Sequence, residues 1–168
     1  MIDKLARVST VLGASSAALL VLTSLPGAAA AQGTGTRHIN PSGLVKPTGY
    51  THLVIAPDGR TVYIAGQVAF DSAGKVIGEG DFAAQAEQVL RNLRRALESV
   101  GGSLGDLVKT TTFITDIKHV PALRDIRTRY FAKSQPPANT LVVVSGLARA
   151  ELLIEIEGVA VLPSIVRQ

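Results

Sequence analysis

The 168 residues contain no cysteine and no tryptophan. Without cysteine, thiol catalysis, a disulfide framework, zinc–thiolate sites and a lipid anchor of the bacterial lipoprotein kind are all excluded. Missing cysteines are compatible with an oxidising compartment but do not require one. Histidine is scarce as well. His38, His52 and His119 lack metal-ligand spacing with one another or with acidic residues. His119 better suits the start of a helix. Neither Gly-x-Ser-x-Gly nor a phosphate-loop pattern occurs. Charged residues make up only 18%, and the net charge of +4 is scattered. The densest basic group is Arg91, Arg94 and Arg95. It falls on a predicted helix without interleaved aromatics, so it reads as a solvated face and not as a nucleic-acid patch.

What is present begins with apolar content, 46% of the chain. That suffices for a core and one domain. Lys4 and Arg7 precede an apolar run over residues 8–25, thinned by Gly13, Ser15 and Ser16. Pro26-Gly27-Ala28-Ala29-Ala30-Ala31 follows. Positive start, apolar middle and small-residue end make residues 1–31 a secretory signal peptide, cleaved after Ala30 or Ala31. The alternative, an uncleaved anchor, suits an interrupted run less well. The expected location is periplasmic or secreted, with no membrane association once the signal is removed. Residues 32–46 are polar, hold Gly33, Gly35, Pro41 and Gly43, and read as a flexible lead-in.

The domain proper spans residues 47–168. Residues 51–56 and 61–65 are β-rich runs, with Pro57-Asp58-Gly59-Arg60 as the turn of a hairpin. Residues 67–70 extend the pattern up to a turn at residues 71–75. Asp81 caps a helix to about Val100, with an apolar stripe of Phe82, Ala86, Val89, Leu90, Leu93, Leu97 and Val100. Gly101-Gly102 stops it. Residues 107–114 form a strand. A second helix starts near Val120, with Pro121 in its first turn and a stripe of Leu123, Ile126 and Tyr130, and ends by Pro136-Pro137. Residues 141–144 are a strand.

Residues 151–162 close the chain as the most informative strand. Leu152, Ile154, Ile156, Gly158, Ala160 and Leu162 form one unbroken apolar face. The other face carries Leu153, Glu155, Glu157, Val159 and Val161. Two carboxylates thus sit roughly 6.5–7 Å apart among aliphatic residues. A carboxylate there has a raised proton affinity or needs a partner. Two readings are open: a partly exposed edge with solvated glutamates, or a functional carboxylate. A glycosidase pair fits poorly, since such carboxylates come from separate elements and no aromatic-rich groove accompanies these. The whole is α+β, one sheet with both helices packed on one face. Its half-apolar second face suggests burial against another subunit under closed symmetry.

Five segments in order carry a resemblance. They are Pro47-Thr48-Gly49-Tyr50, Ile64-Ala65-Gly66-Gln67-Val68, Asp106-Leu107-Val108-Lys109-Thr110-Thr111-Thr112-Phe113, Pro137-Ala138, and Ile154-Glu155-Ile156-Glu157-Gly158-Val159-Ala160-Val161. Together they resemble the Rid family, the reactive intermediate deaminases. The resemblance implies a chorismate-mutase-like fold and a homotrimer with ligand clefts between subunits. It also implies hydrolysis of enamines and imines to carbonyl compounds and ammonia, without metal or cofactor. A small-molecule ligand is implied and a nucleic-acid partner is not; the ribonuclease activity attributed to some members sits badly with the scattered charge.

Carried over by position, the resemblance assigns the cleft tyrosine to Tyr50 and the water-holding glutamate to Glu155. Gly66 permits close backbone approach, while the neighbouring family serine is replaced by Ala65. The main departure is Asn139, which stands where active deaminases carry an arginine for the substrate carboxylate. A neutral amide cannot replace a bidentate guanidinium. Arg124 aligns with a family asparagine on the second helix. One reading is an exchange, with Arg124 supplying the charge from the helix. The other is an exposed Arg124 and a non-catalytic trimeric binding protein.

Overall fold

The computed structural model of the protein describes residues 35–164. The expected signal peptide, residues 1–31, lies outside them. In chain order the described residues form β1 (Arg37–Ile39), β2 (Leu53–Ile55), β3 (Gly59–Gln67), α1 (Phe82–Glu98), β4 (Leu107–Ile114), α2 (Val120–Tyr130), β5 (Ala138–Val143) and β6 (Ile154–Pro163). The main sheet has the order β3-β6-β4-β5. β6 runs antiparallel to both neighbours, whereas β4 and β5 are parallel. A parallel pair needs a crossover, and α2 is that crossover.

The alternation in β6 does what its sequence requires. Ile154, Ile156, Gly158, Ala160 and Leu162 are buried. Val89, Leu90, Leu93 and Leu97 of α1 pack in the same core, each at most 1% exposed. Each such side chain contributes roughly 1.5–3 kcal/mol by leaving water. Leu123 and Ile126 of α2 join this core. The architecture is therefore α+β, with two helices on one face of a mixed four-stranded sheet. Asp81 caps α1 by accepting a hydrogen bond from the Ala84 N–H. Gly101, at φ +80°, ends its last turn in the left-handed conformation. Pro121 opens α2 as expected. His119 makes no capping bond there; its ring stacks on Phe82 at 4.1 Å, tying the two helix starts together. Burial there lowers the imidazole pKa.

Several boundaries differ from expectation. The runs at residues 51–56 and 61–65 do not pair as a hairpin: β2 pairs with β1, and β3 with β6. Gly59 is not a turn residue but the first residue of β3. A Cβ there would sit 2.3 Å from the Leu162 carbonyl oxygen, so only glycine lets the strands meet. Part of the expected lead-in is the strand β1, which has a partner in β2. β5 begins at Ala138, earlier than expected, because its register with β4 starts at Lys109↔Ala138. Asn139 is therefore inside a strand. β6 begins only at Ile154, and Glu151 before it lies in a turn, paired with Arg149.

Polar residues on α1 fix both flanks of β6's partner region. The Gln85 side chain is fully buried. It donates to the Glu151 and Gly78 carbonyls at 2.7 and 3.2 Å and accepts from the Leu153 N–H at 2.8 Å. Asn92 donates to the Val68 and Phe70 carbonyls, each at 2.9 Å. Gln85 thus sets the approach to Glu155, and Asn92 sets the loop just past Gly66.

Candidate functional site

Glu155 follows from the β6 alternation. Ile154 and Ile156 point into the core, so Glu155 points to the face away from the helices, where it is half-buried. The pairing of β3 with β6 breaks register between Ile64 and Gln67, a bulge that takes Ala65 and Gly66 out of the ladder. A Cβ on Gly66 would sit 1.8 Å from Glu155 Oε1. The carboxylate therefore lies directly against the Gly66 backbone. Glu157 is exposed, and its charge acts on Lys109 across the sheet, whose ammonium is held below its usual pKa mainly by burial.

A second cluster surrounds a cleft of about 420 Å³ between α2, β5 and the segment before β2. Tyr50, Arg124 and Asn139 all line it. Its segment is held by Thr51, whose N–H donates to the Pro137 carbonyl at 3.2 Å and whose hydroxyl donates to that of Pro136 at 2.7 Å. The Tyr50 ring meets His52 edge-on at 5.3 Å. Arg124 is exposed at the helix surface. Asn139 Oδ1 accepts from the Thr110 and Thr112 hydroxyls at 2.9 and 3.0 Å. Those threonines are at most 1% exposed, so they need that acceptor. Val120, Leu123 and Leu141 supply apolar walls. Among the described residues no group of three or more His, Cys, Asp or Glu side chains is placed to hold a metal ion.

A family model described as endoribonuclease L-PSP matches residues 44–162. A RutC family protein of Synechocystis is 38% identical over 70% of this chain and 90% of its own. A protein of the conserved Rid protein family from Yersinia pestis is 36% identical, covers 76% of this chain and 99% of its own, and superposes with a TM-score of 0.73. The chain belongs to the Rid family. RidA from the Antarctic bacterium Psychrobacter is similar too, at 32% identity and a TM-score of 0.53 over 67% of this chain and 88% of its own.

The five residues expected to serve a Rid-family site fall into two groups. Tyr50, Arg124 and Asn139 meet at the cleft beside β5. Gly66 and Glu155 meet at the β3–β6 bulge, beyond β4 and on the sheet face away from the helices. Among the described residues, the cleft lined by the first group includes neither Gly66 nor Glu155.

The charged residue of the cleft that sequence reasoning missed is Arg127. It is only 4% exposed and lines the cleft beside Arg124. Its Nε donates to the Gly49 carbonyl at 3.4 Å, and its guanidinium carbon lies 5.3 Å from the Phe131 ring centroid. Burial lowers its pKa to about 10, so it stays charged at neutral pH. The available signal was position. Arg127 stands one helical turn from Leu123 and from Phe131, both buried, so it lies in the apolar stripe of α2.

Proposed function

We propose that this Rid-family protein hydrolyses reactive enamine or imine intermediates to a carbonyl compound and ammonia, with the water held by Glu155. An enamine first tautomerises to its imine. Water then adds across the C=N bond, the carboxylate taking one proton as the C–O bond forms. That proton passes to nitrogen to give the carbinolamine; the carboxylate then moves the carbinolamine's hydroxyl proton to nitrogen as well, the C=O bond forms as the C–N bond breaks, and ammonia leaves. The observation that carries the reading is the Glu155 carboxylate set against the Gly66 backbone in a part-apolar surround. A positioned carboxylate is suited to such proton transfer, worth about 10²–10⁴-fold in rate. The two separate groups of site residues favour a homotrimer with clefts between subunits, since a site using both needs a second copy. The signal-like residues 1–31 favour action in the periplasm or outside the cell.

A second reading is a trimeric small-molecule-binding protein without turnover. Asn139 favours it, being a neutral amide engaged by two buried threonines. A ribonuclease role has less support. Arg91 pairs with Glu87 one turn away on α1, and Arg94 lies over the Tyr130 ring, so two of the three arginines in the densest basic group are engaged within the helix pair. Hydrolysis of a freshly generated α-imino acid by the protein and by Glu155→Gln separates these readings. Turnover that the variant abolishes supports the hydrolase; no turnover from folded protein supports the binder.

A further inference from the structure

We propose that Arg127 holds the anionic group of the ligand in the cleft beside β5, and that this group is a carboxylate. The inference rests on the reading of that cleft as a ligand site, not on the hydrolytic step. Both Nη atoms of Arg127 are buried and have no hydrogen-bond partner among the described residues. A buried guanidinium with two of its three nitrogens unpartnered is costly for a fold to carry. Arg127 also lines a cleft large enough to admit the missing partner, and a shift of its flexible side chain would bring the buried Nη atoms to it.

The geometry selects the partner's shape. Nε is engaged by the Gly49 carbonyl, which leaves Nη1 and Nη2 as a fork for two parallel hydrogen bonds. Two oxygens on one carbon match that fork. The Tyr50 hydroxyl and the Asn139 amide add neutral polar groups to the same cleft. Val120, Leu123 and Leu141 complete it with apolar surface. That combination suits a small aliphatic carboxylate better than a phosphate, which brings more charge and no apolar body. Arg124 is exposed at the same cleft, where water screens its charge, and Arg127 is not. So Arg127 supplies from α2 the positive charge that Asn139 does not supply from β5.

The test is calorimetric titration of the purified protein with butanoate, butanamide and inorganic phosphate, none of which can be hydrolysed as an imine. The wild type is expected to take butanoate in clear preference to butanamide. Arg127→Met should weaken butanoate about thirtyfold or more, the usual effect of removing one partner of a buried charge pair. It should leave the melting temperature unchanged or higher, because it removes a buried charge. Arg127→Lys should retain part of the affinity, and Arg124→Ala should lose less than about threefold. Arg127→Lys is the deciding variant if Arg127→Met does not fold, and wild-type affinity in it would overturn the proposal. Equal binding of butanoate and butanamide, or none of butanoate, would also overturn it. Tighter binding of phosphate would overturn the carboxylate assignment. A change in sedimentation of Arg127→Met would assign the missing partner to a second copy of the chain and overturn the proposal as well. Because no probe is turned over, failure of hydrolysis leaves this result readable.

Discussion

Gly66 and Asn139 carry the sharpest consequences of single side chains. Gly66 is not in the left-handed region, so alanine there meets no backbone strain. Its new Cβ instead collides with the Glu155 carboxylate, the far end of a flexible side chain. Gly66→Ala should therefore fold with stability changed by less than about 1 kcal/mol, while imine turnover falls about a hundredfold. Thermal melting beside steady-state rates measures both; loss of folding instead would mean that the carboxylate cannot move. Asn139→Arg, which places there the arginine that the resemblance to active deaminases implies, should cost about 1–3 kcal/mol by stranding the Thr110 and Thr112 hydroxyls. Adding Thr110→Val and Thr112→Val should recover most of that loss in urea unfolding. No loss in the single variant would contradict the pairing. The placement of Glu155 on the half-apolar face was legible from its neighbours in an alternating strand, while its choice over Glu157 came from the resemblance alone. Arg127 was not, because a charged residue in a helix stripe reads as surface until the packing against Gly49 and Phe131 is known.

At the level of elements, the buried faces of β6 and α1 could be read residue by residue, since burial imposes periods of two and of about 3.6 on their apolar positions; their ends could not, β6 starting at Ile154 and not at Glu151, and α1 ending at Glu98 and not near Val100. β1 could not be, because Arg37-His38-Ile39 has too few residues to show a period and gains its strand from β2. The early start of β5 was hidden by Asn139 and Thr140, polar residues in a strand set by the register of β4. The expected hairpin failed because strand pairing is decided across the sheet, here by β6, and not by the turn between neighbours. Gln85 links helix and sheet through three hydrogen bonds to the segments before α1 and β6. Gln85→Leu should cost about 2–3 kcal/mol, since it leaves buried backbone groups unsatisfied. Urea unfolding with an unchanged m-value would measure it. A change under about 0.5 kcal/mol would mean that other groups or water take over those bonds.

At the scale of the whole molecule, the helix-free sheet face sets the expectation. Tyr63 on that face is 81% exposed and pairs in register with Val159. A free molecule gains nothing by showing water so large an aromatic beside aliphatic residues. Sedimentation should show a trimer, and Tyr63→Glu should give monomers without turnover. A wild-type monomer that is fully active would refute shared clefts.

The most direct measurement of the central claim is the rate of ammonia release from a freshly generated α-imino acid, with the protein, with Glu155→Gln and with neither. Release should run well above the uncatalysed rate with the protein and return to that rate with Glu155→Gln. Release at the uncatalysed rate from a folded trimer, or equal turnover in the variant, would contradict that claim.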